Sequence, residues 1–191
     1  MSVVPAFELG LLNAWIFMIL DALVTPVFLR IIKERKQPDT EKAVSGMSSK
    51  AILTYYFSKV MVIPALIYSF FLPLKTGTVW FYTGLPITLI GLIISFLVLI
   101  QWSNSPPDKP ITNGLYRFSR HPMYVAAFLI YIGVGIACAS WIFILLAVLN
   151  AGGSLVFIKA EEQMTIELYG EVYREYMDRT PRWIGLPKSN K

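Results

Sequence analysis

From Met123 to Ile158 the chain contains no Asp, Glu, Lys or Arg. Drawn as one helix this run would be roughly 54 Å long at 1.5 Å per residue, far beyond a hydrocarbon core of ~30 Å. It must therefore fold back on itself. The weak point is Cys138-Ala139-Ser140-Trp141, where small residues interrupt the apolar series, so the run divides into Met123–Ala139 and Trp141–Ile158. Earlier apolar runs lie at Leu9–Ile32, Ile52–Leu74 and Trp80–Trp102.

Composition agrees. Of 191 residues, 55% are hydrophobic and 15% charged, with a mean hydropathy of +0.58. Soluble domains run about 45–50% apolar and ~25% charged, which argues against a water-soluble globule. The pattern predicts an all-α integral membrane protein with five transmembrane helices, a cytoplasmic loop and an amphipathic C-terminal tail helix. Five spans leave too little chain for a separate soluble domain, so residues 1–191 read as one membrane domain, with 1–100 holding the first three spans. The first run is too long for a signal core and no basic region precedes it, so it is expected to remain as a span.

Orientation follows from the basic residues. Arg30, Lys33, Arg35, Lys36, Lys42 and Lys50 follow the first span, and Lys109, Arg117 and Arg120 follow the third. The tail carries Lys159, Arg174, Arg179, Arg182, Lys188 and Lys191, whereas the N-terminus and the other two loops hold only Lys75. Positive residues stay inside, so the N-terminus is expected outside and the tail in the cytoplasm. The loop Ser103–Arg120, with Pro106, Pro107, Pro110 and Asn113-Gly114, reads as turn-rich. Leu168, Tyr169, Val172, Tyr173, Tyr176 and Met177 mark one stripe of a tail helix that Pro181 ends. Asp21 and Lys59, each about nine residues from a cytoplasmic helix end, fit a charge pair between the first two spans, with substrate contact as the alternative.

Several chemistries lack their motifs. There is no phosphate-cradling P-loop, no HExxH and no GxGxxG between strand and helix. Cys138 is the single cysteine, which excludes an internal disulfide and a multi-cysteine metal site, and no metal is expected. Gly133 and Gly135 read as close helix packing. No feature points to a nucleic-acid partner; the partners expected are the lipid bilayer and a lipophilic small-molecule or prenylated substrate.

The densest polar cluster flanks the last helical hairpin: Gly114-Leu115-Tyr116-Arg117-Phe118-Ser119-Arg120-His121-Pro122-Met123-Tyr124 on one side and Glu161-Glu162 on the other. Separately, Arg120 could anchor at headgroups, Pro122 could simply start a helix, and the glutamates could be a solvated helix exit. Both stretches fall at the cytoplasmic boundary, where they can meet.

In that order, Gly114-x-Tyr116-x-x-x-Arg120-His121-Pro122-x-Tyr124, a helical hairpin, Glu161-Glu162, Tyr169-Gly170-x-x-Tyr173-x-x-Tyr176 and Pro181 resemble the integral-membrane isoprenylcysteine carboxyl methyltransferase family and its phospholipid methyltransferase relatives. The resemblance covers Gln101 to about Leu186. It implies methyl transfer from S-adenosyl-L-methionine to an amphipathic acceptor, and makes 101–191 the cofactor-binding loop, hairpin and tail. Cofactor contacts implied by the resemblance are Gln101, the loop Asp108-Lys109-Pro110-Ile111, Tyr116, His121, Pro122, Met123, Tyr124 and Glu161, to which Glu162 is added as the second of the pair. The family pattern is broken at Ala126, where a glycine is usual, and at Phe157, where an arginine holds the acceptor carboxylate.

The residue chemistry fits such a donor. Its sulfonium, ammonium, carboxylate, ribose and adenine call for acidic, basic and aromatic groups together, which Glu161, Arg120 or His121, and Tyr116 or Tyr124 provide. Arg120 is expected to orient a carboxylate, and Glu167 to act as base if the acceptor is protonated. Alternative readings are a sterol-type NADPH-dependent membrane reductase and a non-catalytic membrane subunit or small transporter. The location expected is the cell membrane in a prokaryote and the endoplasmic reticulum in a eukaryote.

Overall fold

The computed structural model describes residues 7–34, 46–106 and 108–188, without the side chains of 25, 29, 32–34, 58 and 59. The Asp21–Lys59 pairing therefore lies outside the described residues, as does Pro107. Regular structure is helical: α1 (Trp15–Glu34), α2 (Ser49–Val60), α3 (Val62–Ser69), α4 (Val79–Asn104), a 3-10 turn (Gly114–Arg117), α5 (Pro122–Ala137), α6 (Trp141–Tyr169) and α7 (Glu171–Arg179). By length and apolar character, α2 with α3, α4 and α6 could each cross a membrane, while Trp15–Phe28 and α5 are shorter apolar helices.

The expected fold-back is where the small residues stand. α5 stops at Ala137, Ala139 takes a φ of 52°, and Ser140 caps α6 by accepting a hydrogen bond from the Phe143 amide at 3.3 Å. Two earlier expectations are corrected. Helix α1 begins at Trp15 rather than Leu9, because Asn13 donates to the carbonyls of Glu8 (2.6 Å) and Phe70 (2.7 Å), tying an extended N-terminal segment to the chain after α3. The second run breaks at Met61, because Pro64 has no amide to offer the Val60 carbonyl four residues back, and its helix ends at Ser69 rather than Leu74.

Helices α4 and α5 form the tightest seam. Gly84, Thr88, Gly91 and Ser95 repeat every three or four residues and are buried against Ala126, Ile130, Gly133 and Ala137. Small residues are what let two backbones approach in a membrane, where lipid is as apolar as leucine and packing must hold the helices together. The Thr88 hydroxyl donates to the Gly84 carbonyl at 3.0 Å, so no polar group is left open in the seam. The opposite side of α4 exposes Leu89, Ile90, Ile93 and Phe96, a lipid-compatible surface.

The apolar part of α6 ends at Ile158; Lys159, Glu161 and Glu162 follow at once, so the charged residues of this helix sit in its last three turns. Here the single expected tail helix is corrected. Gly170, at a φ of 60°, separates α6 from α7, so the stripe is shared between two helices, with Tyr173 and Tyr176 buried and Leu168 and Val172 exposed.

Candidate active site

Three pieces of chain converge where α6 leaves its apolar stretch. The first is the turn before α5. His121 stands at the N-cap, Pro122 occupies the first helical position that suits its fixed φ, and the Ser119 hydroxyl accepts from the His121 amide at 3.1 Å. The second is the Glu161-Glu162 step of α6. The third is the segment after α7, which begins at the Pro181 of the sequence pattern: the Pro181 carbonyl accepts from the Arg120 amide (3.0 Å), and the Phe118 carbonyl from the Gly185 amide (3.0 Å).

These anchors gather a charged cluster. His121 Nε2 lies 3.1 Å from Glu162 Oε1, and both side chains are buried. Arg120 reaches Glu162 Oε1 at 3.4 Å. Arg182 forks onto the same carboxylate, with Nε 3.1 Å from Oε1 and Nη2 2.5 Å from Oε2. Beside it Tyr124 donates to Glu161 Oε2 at 3.0 Å, and His121 Nδ1 is 3.8 Å from that oxygen. Burial pushes the Glu162 carboxyl up, but the hydrogen bonds from His121 and Arg182 and the charge of Arg120 outweigh it and hold it down at about 2. The bond to Glu162 raises the Arg182 guanidinium. Burial, and then the Glu162 and Glu161 charges, push the Tyr173 phenol up; burial also raises that of Tyr176, which stays protonated and donates to the Tyr116 carbonyl at 2.6 Å.

A cavity of about 1000 Å³ opens beside this cluster and extends between α1, α5 and α6. Lys109, Pro110, Ile111, Tyr116, Arg120, His121, Met123, Tyr124 and Glu161, all singled out from the sequence, line it. Five other residues do not. Glu162 sits behind the wall as the anchor of the cluster, and Pro122 is buried at the start of α5. Gln101 turns to the loop: its Nε2 donates to the Asn113 carbonyl and side chain, and its Oε1 accepts from the Leu115 amide at 3.3 Å. It is a positioning residue, and a Cβ at Gly114 (φ 54°) would lie 2.8 Å from its amide. Asp108 and Glu167, the latter expected as the base for a protonated acceptor, are exposed and off the lining.

Other residues complete the wall. Tyr55, which the sequence did not mark, stacks on Phe157 with ring centroids 4.4 Å apart, and both line the cavity. Trp183 and Ile184, after α7, close the polar end. Nothing in the spacing marks Arg182 or Trp183, since one basic and one aromatic residue after a proline are unremarkable in a tail.

The donor set fits a zwitterionic, aromatic small molecule. Arg120 Nε is buried and, among the described residues, is the one buried side-chain nitrogen or oxygen with no hydrogen-bond partner, an orphaned donor on the cavity wall. Glu161, Tyr116, Tyr124 and Tyr173 line the same cavity.

Residues 78–172 match the model of the phospholipid methyltransferase family. The protein-S-isoprenylcysteine O-methyltransferase of Dictyostelium discoideum is similar, with 26% identity over 139 residues, covering 62% of this chain and 53% of that protein. The chain thus aligns with about half the length of this curated relative.

Proposed function

We propose that this chain, which matches the phospholipid methyltransferase model over residues 78–172 and is similar to a protein-S-isoprenylcysteine O-methyltransferase, transfers a methyl group from S-adenosylmethionine to a lipid-like or prenylated acceptor at the cytoplasmic membrane face. The observation that carries this reading is the continuity of the cavity: a charged, aromatic end at Arg120, His121 and Glu161 joins an apolar body between helices. A polar donor and a greasy acceptor differ in solubility, and one chamber with two such ends brings them together.

When bound, S-adenosylmethionine supplies an electrophilic methyl on a cationic sulfonium. Arg120 would meet its carboxylate, Glu161 would accept from its ammonium or ribose, and Tyr116 and Tyr124 would pack on the adenine. Glu162 does not touch the donor in this scheme. It holds His121, Arg120 and Arg182 in place, so that the segment after α7 stays over the polar end and limits water. If the acceptor carries a proton, Glu161 is the carboxylate at the polar end of the lining that can take it, in place of the exposed Glu167.

The reading includes five spans, with α1 and α5 counted beside α2–α3, α4 and α6, an N-terminus outside, and the Ser103–Arg120 loop and tail in the cytoplasm. It also keeps residues 1–191 as one membrane domain, with donor contacts in 101–191. Its support is the distribution of basic residues together with the lipid-compatible faces of α4 and α6. The test is labelled-methyl transfer by purified protein against farnesylcysteine analogues, phosphatidylethanolamine and extracted host lipids. Transfer is expected for wild type and lost in Glu161→Ala and His121→Ala at unchanged expression. Absence of S-adenosylhomocysteine binding would overturn the reading.

A further inference from the structure

The cavity does not end with the charged cluster. Farther along α1, α5 and α6 its otherwise apolar lining includes Asp21, Tyr131, Asn150 and Ser154. Asn150 precedes Glu161 by eleven positions on α6, so it lies about 16 Å deeper, and Ser154 about 10 Å deeper, at 1.5 Å per residue. Tyr131 lies a similar ~10 Å beyond Tyr124 on α5. Methyl transfer at the polar end requires none of these four groups.

Their chemistry is coherent. Asp21 from α1 and Tyr131 from α5 both line the same cavity. The Tyr131 ring is fixed by stacking on Phe143 with centroids 5.9 Å apart. The Ser154 hydroxyl donates to the Asn150 carbonyl at 3.0 Å, which leaves its lone pairs able to accept. A carboxylate in a membrane span is costly, and such groups face cavities and mark ligand paths. The set offers both acceptors and donors, the complement of a hydroxyl group.

We propose that Asp21, Tyr131, Asn150 and Ser154 form a polar subsite within the membrane that binds a hydroxyl carried partway along the hydrocarbon of the acceptor. This rests on the reading of the cavity as an acceptor chamber. It narrows the substrate class to amphiphiles with a polar group at each end of a spacer of roughly 10–16 Å, the helix-rise depth of the subsite.

Ricinoleic and oleic acids differ by one mid-chain hydroxyl and serve as probes. Their equilibrium binding to full-length protein in nanodiscs is measured with S-adenosylhomocysteine binding in parallel. Wild type is expected to favour ricinoleic acid by about tenfold, the scale of one hydrogen bond to a charged group. Asp21→Leu and Asn150→Leu bring that ratio towards one while oleic acid and S-adenosylhomocysteine still bind; Asp21→Asn retains part of it and covers the case in which Asp21→Leu does not fold. Equal binding of the two acids by wild type, or a preference that survives Asp21→Leu, overturns the subsite. So does recovery of thermal stability in Asp21→Asn/Lys59→Met without any ricinoleic preference in wild type, which would identify a helix-to-helix pair. Intact S-adenosylhomocysteine binding with no fatty-acid discrimination removes the subsite alone, whereas its absence in wild type removes the methyltransferase reading.

Discussion

Arg182 grips both carboxylate oxygens of Glu162, twenty residues upstream, at 3.1 and 2.5 Å, and thereby clasps the chain after α7 to the end of α6. The two partners are unequal. Glu162 is buried and faces three cationic or protonatable groups, whereas Arg182 is 37% exposed. Glu162→Gln should cost about 3 kcal/mol or more, because it leaves Arg120 and His121 buried around a neutral amide. Arg182→Ala should cost about 1 kcal/mol, a charge-assisted bond discounted for solvent screening. Apparent melting temperatures in detergent should fall in that order; a larger loss for Arg182→Ala would contradict the arrangement.

The same carboxylate gives a pH signature. Its value is depressed from an ordinary 4.5 to about 2 in the folded protein. A depressed acid contributes stability that is fully present above the unfolded value and lost as pH falls through the folded one. Melting temperatures should therefore show a Glu162-dependent decline between pH 4.5 and about 2, and none from this group at higher pH. Glu162→Gln should flatten this part of the acid limb; an unchanged slope would count against the clasp.

Much of this was legible in the chain, for identifiable reasons. The hairpin between α5 and α6 is written in Cys138-Ala139-Ser140 because an apolar run of that length has to turn and a serine can cap the returning helix. His121 and the glutamates could be brought together because topology placed both at one boundary. The break at Gly170 was hidden, since the apolar stripe reads straight through it and only the backbone shows its φ of 60°. Gln101 lies next to the site, but its amide serves the loop, and which way an amide points is decided by local partners that spacing does not encode. Glu167 shares a helix with Glu161, yet six residues along a 3.6-residue turn carry it to another face.

Tyr124 tests the donor end. Its hydroxyl holds Glu161 Oε2 at 3.0 Å, so Tyr124→Phe keeps the ring face and frees the carboxylate. S-adenosylhomocysteine affinity, measured by calorimetry, should weaken by about tenfold, one hydrogen bond's worth, with little change in melting temperature. Unaltered affinity would remove Glu161 and Tyr124 from the donor contacts.

Gly84 tests the seam. A Cβ there would fall on the backbone of Ala137 and Gly133, so Gly84→Ala must push α4 and α5 apart. Gly152, on α6, has nothing within 4 Å of an added Cβ. Gly84→Ala should sharply reduce the yield of monodisperse protein in detergent, and Gly152→Ala should leave it unchanged. Equal yields would show that the seam tolerates separation.

Phe157 decides which acceptor charge the wall can hold. It stacks on Tyr55 at 4.4 Å, both rings are buried, and Tyr124 and Met164 pack against them, so this part of the chamber presents aromatic and thioether surface to whatever lies beside Glu161. A carboxylate on the acceptor would find no cation among these groups and would meet the Glu161 charge nearby, whereas a neutral or ammonium-bearing group would find ring faces and a carboxylate. Wild type should therefore transfer methyl groups to phosphatidylethanolamine in preference to farnesylcysteine. Phe157→Arg places a guanidinium on this wall and should shift the ratio of kcat/KM towards farnesylcysteine by at least about tenfold, the effect of one charge-assisted contact. The cost is the lost stack with Tyr55, so the ratio, and not the absolute rate, is the quantity to read. A wild-type preference for farnesylcysteine that Phe157→Arg leaves unmoved would mean that the acceptor carboxylate is held elsewhere, with Arg120 the first candidate because its Nε has no partner.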